Sequence, residues 1–166
     1  MGMGSALLKA AENDVRELGS KGLAAWGVAL PFWMKASWFK KHGYKKADKD
    51  SISLLVWKSF DPVAEAPRWI KPKKKVEKVP GIVKVTVFHY GWCSARNIAY
   101  ERIKKAVTEY GEKVFFESID TSDRDVFLHW GISDGIYVDG KEIGFGPPLT
   151  SEKIHKILKK NIKKIS

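Results

Sequence analysis

Between Asp61 and Pro80 the chain carries four of its seven prolines, in Asp61-Pro62, Ala66-Pro67, Lys71-Pro72 and Val79-Pro80. Each proline removes a backbone donor and biases the residue before it toward extended backbone. Beside them runs Lys71, Lys73, Lys74 and Lys75, so residues 61–80 read as a linker rather than a helix or central strand. The 166-residue chain is therefore expected to fold as two pieces, 1–60 and 81–166. No internal repeat links them.

Composition decides what kind of pieces these are. With 44% hydrophobic and 12% aromatic residues, both should fold rather than stay disordered. The longest uncharged stretch, Gly22 to Met34, is too short and contains a proline, so no membrane span is expected. Lys9 and Glu12 interrupt the only candidate signal segment. A single cysteine leaves no intramolecular disulfide and no cysteine-rich zinc site, which fits a cytoplasmic protein. The net charge of +11 divides as +5, +3 and +3 over residues 1–60, 61–82 and 83–166. Its clusters are the 71–75 run and the tail from Lys153 to Lys164. Neither shows the glycine–aromatic interleaving of a single-strand binder, so both read as solvated lysine faces and no nucleic-acid partner is expected.

In the first piece, Ser5 to Leu18 has a helical stripe of Leu7, Leu8, Ala11, Val15 and Leu18, stopped by Gly19. Gly22 to Leu30 reads as a buried strand. Pro31 suits the first turn of a second helix running to His42 and ended by Gly43. Ser51 to Phe60 alternates as a strand. A domain of about sixty residues is marginal alone, yet this one carries Trp26, Trp33, Trp38 and Trp57. Those rings call for cover from the second domain, another copy, or further sequence.

The second piece reads β-α-β-α-β-β-α: strand Gly81–His89, helix Ser94–Tyr110, strand Lys113–Ile119, helix Asp123–Trp130, a hairpin Gly135–Val138 and Glu142–Phe145, and helix Thr150–Ile165. Asp139-Gly140 is a turn that favours positive φ. Two strands joined by a helix should be parallel. Cys93 opens the first helix of this piece, where a helix N-terminus favours a thiolate.

Gly2-Met3-Gly4, then Ser5-Ala6-Leu7-Leu8, a strand, and a helix ending Trp38-Phe39-Lys40-Lys41-His42-Gly43-Tyr44 resemble the GNAT acetyltransferases over residues 1–60. The resemblance implies that Gly2, Met3, Gly4 and Ser5 hold the acetyl-CoA pyrophosphate and that the acceptor is a small amine or peptide. It implies a C-terminal half-domain, active only when completed by strands that precede it in the family, or with its open sheet covered in a homo-oligomer. Phe39 occupies the position of the usual tyrosine acid, and a phenyl ring has no proton to give.

The strand–loop–Cys93–helix arrangement and Ile136-Tyr137-Val138-Asp139-Gly140-Lys141-Glu142-Ile143-Gly144 resemble the thioredoxin and glutaredoxin folds over about residues 82–166. In Cys93-Ser94-Ala95-Arg96 the resolving cysteine is replaced by Arg96. The family's cis-proline falls on Asp134, and a carboxylate near a thiol opposes the thiolate. The two pieces together resemble YoaP-like proteins, which join a GNAT domain to a thioredoxin-fold domain. An acetyl-CoA-dependent N-acetyltransferase-related α/β protein is thus expected, with a monothiol redox protein or a non-enzymatic binding module as the alternative. His42, His89, His129 and His155 show no metal-ligand spacing. Asp120, Asp123 and Asp125 read as a helix cap rather than a calcium loop.

Overall fold

The computed structural model of the chain describes residues 2–30, 34–144 and 147–165. It divides into two compact units, 1–69 and 70–166. Of the residues expected as a linker, 61–69 fall in the first unit and 70–80 in the second.

The first unit contains helix α1 (Met3–Glu17), strand β1 (Gly22–Val28), helix α2 (Ala36–Lys41) and strands β2 (Lys45–Asp50) and β3 (Ser53–Ser59). The expected start of α2, Pro31 to Trp33, lies outside the described residues. The sheet runs β1-β3-β2 and is antiparallel throughout. Strand β2, Lys-Lys-Ala-Asp-Lys-Asp, gives no apolar alternation and was not expected. It forms because β3 offers it a backbone ladder, while its lysines and Asp50 face water at a bulged sheet edge and Asp48 accepts the Trp69 N–H at 2.9 Å. One sheet face carries Leu23, Ala25, Leu54 and Val56 and packs with Leu8, Ala36, Phe39 and Tyr44 into a small core. Alternation along the strands puts Trp26, Leu55 and Trp57 on the other face, where Trp26 is still 42% exposed.

Polar links reinforce this small core. Glu12 is buried, and Lys58 Nζ reaches both its carboxylate oxygens at 2.9 and 2.8 Å and the His42 carbonyl at 3.0 Å. Arg16 approaches Glu12 at 3.7 Å and lies over the Phe60 ring. His42 Nδ1 sits 2.8 Å from the Trp38 carbonyl, which can only accept, so Nδ1 carries the proton. In the neutral ring, Nε2 then accepts from the Ser5 hydroxyl at 2.9 Å, fastening the first turn of α1 to the end of α2.

The second unit contains strand β4 (Val83–His89), helix α3 (Ser94–Thr108), a 3-10 turn, strand β5 (Val114–Asp120), helix α4 (Arg124–Trp130), hairpin strands β6 (Gly135–Val138) and β7 (Lys141–Ile143), and helix α5 (Ser151–Ile162). The sheet order is β5-β4-β6-β7, with β4 and β5 parallel as expected and the remaining pairs antiparallel. Val83, Val85 and Val87 of the central strand pack with Ile103 and Ala106 of α3 and with Ile154 and Leu158 of α5. The expected turn is present: Asp139 and Gly140 have φ of 49° and 75°.

Residues 70–80 lie against this unit. Lys73 N–H donates to the Trp130 carbonyl at 2.8 Å, beside Gly131, the left-handed C-cap of α4. A Cβ at Gly131 would collide with the Lys71 carbonyl oxygen, and one at Gly140 with that of Val76.

Candidate functional site

Cys93 is the N-cap residue of α3, with extended backbone and a partly buried side chain that makes no capping hydrogen bond. The loop before it turns through Gly91, whose φ is 80°. Asn97 braces that loop: its side-chain amide donates to the Gly91 carbonyl at 2.6 Å, and its N–H to the Cys93 carbonyl at 2.9 Å. Trp92 stands out from the loop, 84% exposed, with its ring 5.5 Å from that of Tyr90.

Arg96 lies in the first turn of α3 and Asp134 immediately before β6. Arg96 Nε meets Asp134 Oδ1 at 2.8 Å, and a terminal guanidinium nitrogen donates to the Gly144 carbonyl at 3.3 Å. The two replacements of the family pattern are therefore bound to each other. Asp134, expected as a charge acting on the thiol, is held in an ion pair with Arg96. Among the described residues there is no cis peptide bond, at Asp134 or elsewhere.

Three further groups join this cluster. Burial, then the charges of Glu142 and Asp134, push the Tyr137 phenol up to about 12. Burial raises the Glu142 carboxyl as well, opposed by Arg96 and aided by Asp134. Tyr90 is raised by burial, then by Asp134 and Cys93. The site thus holds a single guanidinium among two carboxylates and two phenols beside one thiol. Sequence reading missed Tyr90, Tyr137 and Glu142. The 137–142 pair could have been found by counting outward from the Asp139-Gly140 turn, because those residues face each other in the ladder.

The other candidates lie in the first unit. Gly2 caps α1 with extended backbone and no side-chain bond, and open space surrounds its Cα. Met3 is 81% exposed. The Ser5 hydroxyl is held by His42, beside a cavity of about 420 Å³ that Glu12 and Lys58 also line. Phe39 is packed in the core with its ring edge-on to Trp38 and Tyr44. Among the described residues no three His, Cys, Asp or Glu side chains could hold a metal ion, and no helix is long and apolar enough to cross a membrane.

No family model and no curated protein matches the chain. Solved structures similar to it include thioredoxins that match about half its length. The Fasciola hepatica thioredoxin is 21% identical over 52% of this chain and 84% of its own, at a TM-score of 0.33. Thioredoxin f2 of Chlamydomonas reinhardtii is 14% identical over 51% and 84%, at 0.34. A chloroplastic thioredoxin z is 17% identical over 55% and 96%, at 0.38. The thioredoxin-like arrangement of the second unit is read from its own element order and its β5-β4-β6-β7 sheet. The acetyltransferase resemblance of residues 1–60 stands on sequence alone.

Proposed function

We propose that the second unit is a monothiol exchange module acting through Cys93. The observation that supports it most is the position of that thiol: partly exposed at the head of α3, on a loop braced by Asn97, with the second thiol position taken by an ion-paired arginine. The Cys93 thiolate attacks one sulfur of a small disulfide such as oxidised glutathione. A mixed disulfide forms, the S–S bond of the small molecule breaks, and its other half leaves as a thiolate that takes up a proton. With Arg96 in the second position, only an external thiol can resolve the adduct. Exposed Trp92 and half-buried Tyr90 offer the apolar wall against which the bound half rests. Incubation with oxidised glutathione, followed by intact mass measurement, should show one glutathionyl group on Cys93, removed by free thiol. The native protein should react faster than the urea-unfolded chain. Reaction no faster than the unfolded chain would leave the fold as a non-enzymatic binding module.

For the first unit we propose the acetyl-CoA-dependent reading. It is favoured by the bare glycine entry to α1, where, among the described residues, no side chain caps the helix start and only the Ser5 amide of the first turn is engaged, by the Gly2 carbonyl at 3.0 Å. Gly2 to Ser5 would hold the pyrophosphate there, and acetyl-CoA would supply the acyl thioester for a small amine or peptide acceptor. Phe39, half-buried, supplies no proton. Calorimetric titration with acetyl-CoA should show saturable binding that Gly4→Glu abolishes by charge repulsion. A flat titration of folded protein would reject the reading. Sedimentation in the same buffer tests whether a second copy covers the sheet.

A further inference from the structure

We propose that the groove between the end of α3 and helix α5 binds single-stranded nucleic acid. Helix α5 commits Ile154 and Leu158 fully to the core, and this fixes its lysines outward. Lys156, Lys159, Lys160 and Lys163 are all exposed and recur at the spacing of one helix face. Lys156 and Lys163 stand roughly 10 Å apart at the helical rise. Among the described residues none of these four has a carboxylate within ion-pair distance. The open groove beside them, about 1200 Å³, is lined by five lysines against two carboxylates, Glu109 and Glu152. Glu109 faces His155 Nε2 at 3.8 Å rather than a lysine.

The groove also holds what the linear sequence lacked. Half-buried Tyr110, just past the end of α3, and His155, from α5, place their ring centroids 5.8 Å apart, joined by a 2.9 Å hydrogen bond between the Tyr110 hydroxyl and His155 Nδ1. These residues are 45 apart in sequence, so no local glycine–aromatic pattern could reveal them. Ammonium groups along a backbone track with rings beside it suit phosphates with unstacked bases. An acidic protein would need only the lysines, a duplex hides its base faces, and α5 has no apolar face left to enter a lipid surface.

The test is fluorescence anisotropy with a labelled oligouridylate of about twelve nucleotides. Four phosphate contacts give a slope of log affinity against log salt of about −3. The triple variant Lys156→Gln, Lys160→Gln, Lys163→Gln should weaken binding at least about tenfold and flatten the slope by about 2. Replacing the same residues by arginine should restore both. Tyr110→Leu, which keeps the packing, should weaken binding while leaving the slope unchanged. Lys71→Gln with Lys73→Gln and Lys75→Gln, in the other cluster, should change affinity less than about twofold, since those residues lie outside the groove. The proposal is overturned if the groove variant binds like the parent, if the 71–75 variant loses as much, or if polyglutamate or duplex DNA competes as well as the single strand.

Discussion

At the scale of single residues, the Arg96–Asp134 pair governs the thiol site. Its side chains are 32% and 17% exposed, so removing one partner strands a largely buried charge. Arg96→Gln and Asp134→Asn should each cost about 1–3 kcal/mol in urea unfolding, and the double variant less than the sum. Additive losses would show that the pair does not act as one. Tyrosines give a second reading. Burial, then the Glu12 charge, push the Tyr44 phenol up to about 12, and burial does the same for Tyr137. The Tyr44 hydroxyl is buried and finds no partner of normal hydrogen-bond geometry among the described residues. Unfolded phenols ionise near 10. Both groups therefore favour the folded state fully below that pH, and their contribution is lost as pH rises from about 10 through about 12. Ultraviolet titration should show a late tyrosinate phase that Tyr44→Phe and Tyr137→Phe each diminish; a phase unmoved by either change would contradict the assignment. Cys93, Arg96 and Asp134 were each legible as positions in a family pattern. Their pairing was not, because it depends on where the loop before β6 falls beside α3.

At the scale of elements, local chemistry was the most legible. The Asp139-Gly140 turn and the α5 start follow from their own residues. Thr150 Oγ1 accepts the Lys153 N–H at 3.3 Å. Thr150→Ala should lower stability by about 1 kcal/mol in chemical unfolding, and Thr150→Ser should restore most of it. Gly131, at φ 68° and crowded by the Lys71 carbonyl, permits no side chain. Gly131→Ala should cost at least about 2 kcal/mol, read by the same method. Strand β2 was illegible for the opposite reason. Nothing in Lys45 to Asp50 favours a strand, and only the ladder from β3 makes it one. Its charge suits an edge, where apolar alternation would invite a foreign strand.

At the scale of the whole molecule, the chain divides between Trp69 and Ile70, inside the proline-rich segment, and each unit has its own core. Calorimetric unfolding should resolve two transitions. Gly131→Ala should lower one alone. Glu12→Gln, which leaves Lys58 without its carboxylate, should lower the other alone. A single transition shifted by both variants would mean that the units unfold together. The small first core was foreseeable from sixty residues. Its dependence on the buried Glu12–Lys58 contact was not, since those residues are 46 apart in sequence.

The segment from Ile70 to Pro80 bears on how the second unit could be transplanted. Its backbone closes the end of α4 and crowds the glycine of the hairpin turn. A graft begun at Gly81 would carry every strand and helix of the unit yet leave the Trp130 carbonyl without the Lys73 donor. One begun at Ile70 brings its own cover, so the portable module is longer at its front than its secondary structure suggests.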